Sequence, residues 1–287
     1  MNAFVLSGGG NLGSIQAGML EALLAAGIHP DVLVGTSIGA ANAAFLAADP
    51  TVHGARALSE VWRSVRSRDI FPISPLTTLR ALRGKGAVFD AAGWRRFLEH
   101  NLPYRRFDEA RTPLRIVATS FETGSSVTLE SGSVIDAILA STAMPGLFPP
   151  HEIGDELFLD GRLADHVPLS AALHEGSTTI YVLSVGFPCP PPQDRRSPRS
   201  VLLHSLGILL SQRTRLDEED VPRHHPDVRI VRIPPVCTQM GLRDFSHTNE
   251  LIRRARTQTQ LFLAGDRCPT CDHASVPNEP LLSKGAS

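Results

Sequence analysis

Three groups of residues in this chain have types and spacings that could do chemistry. The first is Gly35-Thr36-Ser37-Ile38-Gly39, a G-x-S-x-G pentapeptide between the apolar run Val32-Leu33-Val34 and the helix-forming run Ala40-Ala41-Asn42-Ala43-Ala44. A strand that turns sharply into a helix lifts the central serine clear as a nucleophile, and the tightness of the turn calls for glycine at both ends. The helix N-terminus offers N–H groups and a positive dipole end to the negative charge that attack on a carbonyl creates. The second group is Gly8-Gly9-Gly10-Asn11-Leu12-Gly13, directly after the apolar run Phe4-Val5-Leu6. Consecutive glycines present backbone N–H groups without side-chain obstruction, as an oxyanion hole requires. The third is Asp160-Gly161-Arg162, after Leu157-Phe158-Leu159. A carboxylate is a weak base toward a serine hydroxyl, so it needs position and desolvation to act.

Each group has a competing reading. G-x-S-x-G also arises in Gly- and Ala-rich loops, and an Asp before Gly is a common turn. Gly8, Gly10 and Gly13 satisfy G-x-G-x-x-G, so a nucleotide-binding or non-catalytic α/β module with a phosphate cradle at Gly8–Gly13 is the alternative from another class. Its ribose-binding acid belongs at the end of the second strand. Asp31 instead precedes Val32–Val34, and Gly35-Thr36-Ser37 fills the place where the acid belongs. A histidine base is a further alternative, since His151 and His166 flank Asp160. An ordinary α/β-hydrolase, however, has several strands ahead of its elbow.

The elements that must position these groups follow from periodicity. Phe4–Leu6 reads as a buried strand, with a helix after the glycine turn from Ile15 through Leu24 and Gly27 as its C-cap. A strand over Val32–Val34 and a helix ending near Asp49-Pro50 complete a second strand-to-helix unit, and this alternation predicts a mostly parallel, doubly wound sheet. Helical pieces are expected at Ala57–Val65, Leu76–Leu82 and Ala92–Leu98. Strands follow at Leu114–Thr119 and Ser126–Leu129, then a helix at Ser133–Ala140. A helix at Val167–His174, a strand at Thr179–Val185, a helix at Val201–Leu216, a strand at Val228–Ile233 and a closing helix at Asn249–Leu263 finish the pattern. The expected organisation is a single domain over residues 1–265, with a motif-bearing core over about 4–185, a Pro-rich connection over about 187–199 and a helical part over 200–265. A loosely ordered tail over 266–287 follows.

The 287 residues, 42% hydrophobic and 20% charged, suffice for one sizeable core. A formal net charge of -1 and the lack of a basic-aromatic pattern speak against nucleic acid. The lysines are Lys85 and Lys284, so arginine carries nearly all the positive charge. The Arg-rich stretch from Trp62 to Arg83 mixes arginines with large apolar groups; it reads as a solvated outer helix layer, or as a lid or interfacial surface for peripheral membrane contact. Four cysteines in a chain of this length favour a reducing, cytoplasmic compartment. Cys268 and Cys271 form a C-x-x-C without a second pair at matching spacing, so no metal is expected. Met1–Ser7 reads as a strand and lacks the basic region of a secretory leader, and no apolar stretch is long enough to span a bilayer.

Taken together and in order, Gly8-Gly9-Gly10-x-x-Gly13, Gly35-x-Ser37-x-Gly39, the block Ser141-Thr142-Ala143-Met144-Pro145-Gly146-Leu147-Phe148-Pro149-Pro150 and Asp160-Gly161 resemble the patatin-like phospholipase family, over roughly Phe4 to Val185. The resemblance implies a three-layer α/β/α sandwich and hydrolysis of lipid acyl esters without metal or cofactor. It also implies a catalytic dyad of Ser37 and Asp160, with the N–H groups of Gly8, Gly9 and Gly10 as oxyanion hole and Gly13, Gly35, Gly39 and Gly161 as motif support. Two positions depart from the pattern. Arg162 stands where Gly or Ala is usual after Asp-Gly, and His166 where Asn is common. A cation at Arg162 would lower the pKa of Asp160 and weaken it as a base, up to inactivating the site, or would bind an anionic headgroup.

Overall fold

The computed structural model describes residues 1–71, 89–185, 223–236 and 244–266, with 201, 205, 208, 221 and 238 as isolated positions. The expected helix at Leu76–Leu82, the Pro-rich connection, nearly all of the expected helix at Val201–Leu216, the four cysteines and the tail from 267 lie outside these residues.

The strands are β1 (Asn2–Leu6), β2 (Val32–Thr36), β3 (Leu114–Ser120), β4 (Ser126–Leu129), β5 (His151–Ile153), β6 (Glu156–Leu159), β7 (Thr179–Leu183) and β8 (Arg229–Arg232). They form one sheet in the order β5-β6-β3-β2-β1-β7-β8, with β4 also paired to β3. The run β3-β2-β1-β7-β8 is parallel; β4, β5 and β6 add an antiparallel edge. The chain winds outward from β1 to β3 and then returns to the other side of β1, which is the doubly wound arrangement expected of alternating strands and helices. Of the antiparallel edge, β4 matches the strand expected at Ser126–Leu129 and β6 was legible as the apolar run at Leu157–Leu159; β5, with its half-exposed residues, gave no periodic signal.

Period-two alternation assigns the two faces of the sheet. Phe4, Leu6, Leu33, Ile116, Tyr181 and Leu183 point into the larger core. It is covered by α1 (Gly13–Ala25), α2 (Ile38–Ala48), α3 (Val52–Ser64), α5 (Ala92–Asn101), α6 (Val134–Ser141) and α8 (Thr248–Leu263), with the short α4 (Ser67–Ile70) between α3 and α5. Ala3, Val5, Val32, Val34, Ile180 and Val182 point the other way, onto α7 (Leu169–His174) and Val221. Helices therefore flank both faces of a sheet whose central strands are buried on both sides.

α3 begins five residues earlier than its apolar pattern suggested, because Thr51 caps it by accepting the N–H of Gly54. α8 packs on α1 closely enough that a methyl group at Gly18 would stand 2.2 Å from the carbonyl of Ile252. Through this contact α8 lies against α1, and β8 extends the sheet beside β7.

Candidate active site

Register fixes what stands at the carboxyl edge of the sheet. Leu6 pairs with Gly35 on one side and with Leu183 on the other, so the turns after β1, β2 and β7 emerge side by side. Ligands of open α/β sheets bind at this edge.

Ser37 occupies the turn between β2 and α2 at φ 53 and ψ -127, the only described residue other than glycine with a positive φ. Such a backbone costs of order 1–3 kcal/mol and persists only when its surroundings hold it. The flanking glycines supply space and not the unusual angles. A methyl group at Gly35 would stand 2.4 Å from the carbonyl oxygen of Gly39, and one at Gly39 2.2 Å from that of Leu6. The strain falls on the serine itself. Its N–H donates to Ser141 Oγ at 2.7 Å, and Ser141 Oγ donates in turn to the carbonyl of Val117 at 2.6 Å. The N–H groups expected to be open at the head of α2 are therefore one fewer than the sequence suggests.

Asp160 arrives from the antiparallel edge. β6 runs down along β3, pairing Leu159 with Thr119, and delivers the next residue to the level at which Ser37 leaves β2. Asp160 is 1% exposed. Its N–H donates to the carbonyl of Ala143 at 3.0 Å, and its carbonyl accepts Thr119 Oγ1 at 2.9 Å. One carboxylate oxygen accepts the N–H of Arg162 at 2.9 Å, and the other accepts Ser37 Oγ at 2.7 Å. Gly161 is required by the same crowding, since a methyl group there would lie 2.1 Å from the carbonyl of Val117.

Burial pushes the Asp160 carboxyl above its ordinary value, against the pull of the Arg162 charge, the Arg162 N–H and the Ser37 hydroxyl. The cation at position 162 does pull the carboxyl down, as expected, but the net shift is upward, because desolvation of a nearly inaccessible group outweighs that charge.

Gly8, Gly9 and Gly10 form the turn beside Ser37. A methyl group at Gly8 would lie 2.9 Å from Ser37 Cβ, and one at Gly9 would lie 2.1 Å from Val185. Gly10 has a φ of 61 and opens a short 3₁₀ turn to Leu12. Among the described residues, none of the three N–H groups donates to a protein acceptor. Asn11 Nδ2 ties the turn to the carbonyl of Asp244 at 2.7 Å.

The histidines weighed as a base are engaged elsewhere. His151 Nε2 pairs with Asp136 at 3.1 Å, a carboxylate that also holds Arg95. His166 Nδ1 accepts Arg162 Nε at 3.3 Å, and burial holds its imidazole down at about 3, so it is neutral. Asp31, the acid that a dinucleotide site would need, binds the N–H of Asn2 at 2.6 Å, at the opposite end of the sheet from the glycine turn.

Sequence reasoning missed a buried polar network behind the site. Gln16 Nε2 donates to the carbonyls of Ser7 and Leu183, each at 2.9 Å, tying the ends of β1 and β7 together. Asn42 Nδ2 donates to Gln16 Oε1 and to the carbonyl of Gly13, while Trp62 Nε1 donates to Asn42 Oδ1. A polar residue interrupting an apolar helix was the available signal: Gln16 and Asn42 are both fully buried.

A narrow cavity of about 80 Å³ opens at Ser37, Asp160 and Arg162, walled by Trp62, Phe71, Trp94, Met144, Phe148 and Phe245 among others. Phe71 and Phe148 stack at 5.7 Å within that wall. A larger cavity of about 350 Å³ lies near Asp165 and Leu173 and does not include Ser37 among its walls. Among the described residues there is no cluster of three His, Cys, Asp or Glu side chains that could hold a metal ion, and no helix is long and apolar enough to cross a membrane.

The family model of patatin-like phospholipases matches residues 4–173. A 186-residue segment, 64% of this chain, is 25% identical to the patatin-like phospholipase domain-containing protein 7 of Mus musculus, of which it covers 13%. An uncharacterized NTE family protein of Mycobacterium bovis is 31% identical over 171 residues, 58% of this chain and 44% of that protein. The chain thus spans less than half the length of these relatives. Among solved structures, VipD from Legionella pneumophila superposes with a TM-score of 0.47 at 16% identity, over 90% of this chain and 66% of that one.

Proposed function

Because the chain belongs to the patatin-like phospholipase family, whose model matches residues 4–173, we propose that it is a serine hydrolase of lipid acyl esters working through a dyad of Ser37 and Asp160. The observation that carries this reading is the 2.7 Å hydrogen bond from Ser37 Oγ to Asp160 Oδ2 in a buried setting. Ser37 Oγ attacks the ester carbonyl while Asp160 takes its proton. The negative charge passes from the carboxylate to the carbonyl oxygen, where the N–H groups of Gly8, Gly9 and Gly10 receive it; one such donor is worth about 2.7–4 kcal/mol. Collapse of the tetrahedral adduct returns the proton from Asp160 to the departing alcohol and leaves an acyl-serine. Water, giving its proton to Asp160, then attacks the acyl carbon, and the released serine regains that proton.

A carboxyl raised by burial is better matched to this work than an exposed aspartate, since efficient proton transfer needs a pKa nearer the working pH. The aromatic and aliphatic walls suit an acyl chain. The acyl ester is the substrate class; the compartment assigned with it is the cytoplasm, with contact at a membrane surface for lipid substrates.

A second reading, a silenced member of the family, draws on the stem of Arg162, which packs where a methyl group at Gly8 would stand only 2.2 Å from its Cδ. Intact-mass labelling with a neutral fluorophosphonate decides between them. The dyad predicts one adduct on the wild type, none on Ser37→Ala and a strongly slowed adduct on Asp160→Asn. A folded wild type that takes no adduct, while Arg162→Gly does, establishes the silenced reading.

A further inference from the structure

The guanidinium of Arg162 makes contacts that the dyad does not need. Its backbone N–H serves Asp160, and its Nε donates to the neutral ring of His166, which fixes the plane of the guanidinium. Its stem lies over Gly8, beside Ser37, so that the group is held at the nucleophile's end of the cavity. Among the described residues no carboxylate lies within 4.0 Å of the guanidinium, and neither Nη atom donates to a protein acceptor. A charged fork with two free N–H edges, in a cavity walled mainly by aromatic and aliphatic groups with Asn11, Ser37, Thr142 and Asp160 as its other polar members, matches the geometry of a carboxylate or phosphate, although its charge is partly offset by the Asp160 carboxylate.

The chemistry of the walls favours one side of the ester for that anion. The acyl chain belongs among Trp62, Phe71, Trp94 and Phe148, so the charge sits on the alcohol side. We propose that Arg162 is a specificity-determining residue that binds an anionic group on the alcohol portion of the substrate, selecting acyl esters of phosphorylated or carboxylated alcohols over neutral ones. This rests on the hydrolase reading above and adds a substrate class to it. His166 acts through Arg162, as its orienting partner.

Three esters of one acyl chain test it on the purified protein: 1-butyrylglycerol, its 3-phosphate and the butyryl ester of 3-hydroxypropanoate. The wild type should show a kcat/KM at least tenfold higher for one or both anionic esters than for 1-butyrylglycerol. In Arg162→Gln that ratio should fall by roughly tenfold or more, mainly through KM, with Arg162→Lys in between because a point charge replaces a fork. The ester that loses most identifies phosphate or carboxylate as the group recognised. Calorimetry on Ser37→Ala separates binding from turnover: 1-butyrylglycerol 3-phosphate should bind at least tenfold more tightly than 1-butyrylglycerol, and the added Arg162→Gln change should abolish the difference. Anion-selective binding without hydrolysis by the wild type would leave this proposal standing and remove the hydrolase reading. A wild type without anionic preference in either assay, or a ratio unmoved by Arg162→Gln, overturns the proposal.

Discussion

The hydroxyl of Ser141 accepts the backbone N–H of Ser37 at 2.7 Å, across 104 residues of chain. The strained turn at Ser37 is therefore held from outside, by the last residue of α6, and α6 is itself anchored through Ser141 Oγ to the carbonyl of Val117 on β3. The position of Ser37 depends on this three-point join between β2, β3 and α6.

Ser141→Ala leaves the N–H of Ser37 buried without its acceptor. A loss of about 1–3 kcal/mol in urea unfolding is expected from that group alone. Release of the turn should also slow fluorophosphonate labelling of Ser37 by at least about tenfold, since a displacement of 1 Å can cost a hundredfold in rate. Ser141→Thr keeps the hydroxyl and should restore labelling. If Ser141→Ala loses stability but labels at the wild-type rate, the join is structural only.

Asn42 carries the second join. Its amide receives Trp62 Nε1 at 2.9 Å and donates to Gln16 Oε1 at 2.8 Å and to the carbonyl of Gly13 at 2.9 Å, all of them buried. Asn42→Ala strands three polar groups at once, so the loss should exceed that of a single hydrogen bond and reach roughly 3 kcal/mol. Because Gln16 holds the ends of β1 and β7, hydrogen exchange should quicken in the glycine turn at Gly8–Gly10 as well as at Trp62. Denaturation with a loss below about 1 kcal/mol, or unchanged exchange in the turn, would show that Gln16 keeps its place without Asn42.

These two joins mark the limit of what the sequence makes legible. The elbow is visible because a tight strand-to-helix turn leaves no room for a Cβ at Gly35 or Gly39, a constraint that writes itself into residue type. The parallel order of the sheet follows from the alternation of apolar strands and helices, and the pairing of Ser37 with Asp160 follows from the resemblance of four ordered blocks. Ser141 was visible only as one letter of such a block, because a hydroxyl that serves a distant backbone N–H has no local spacing. Gln16 and Asn42 look like flaws in apolar helices until the tertiary structure gives each amide its partners. The balance at Asp160 is legible only in part for a related reason: Arg162 stands two residues away and its charge, which does pull the carboxyl down, is obvious, whereas the depth of burial that outweighs it emerges only when β6 meets β3 and α6.

That burial has a consequence for pH. The Asp160 carboxyl is raised above its ordinary 3.8 by desolvation. The folded protein therefore holds this proton more tightly than the unfolded chain does, and its stability declines as pH rises from the ordinary value through the raised one. Once ionised, the carboxylate is a liability to the fold, and it is the form that the proposed dyad needs. Asp160→Asn removes the charge while its amide oxygen can still accept the N–H of Arg162. The variant should then be more stable than the wild type at pH 7, by about 2–4 °C in Tm for each kcal/mol gained, and the advantage should shrink toward zero as pH falls below 3.8. Its fluorophosphonate labelling should be strongly reduced across the range. Wild-type labelling should rise with pH through an inflection that lies above the usual aspartate value. A thermal-melt series from pH 3 to pH 8 on both proteins tests the linkage. A variant that is less stable at pH 7 than at pH 4, relative to the wild type, would mean that Asp160 is held below its ordinary value and that Arg162, not burial, governs it.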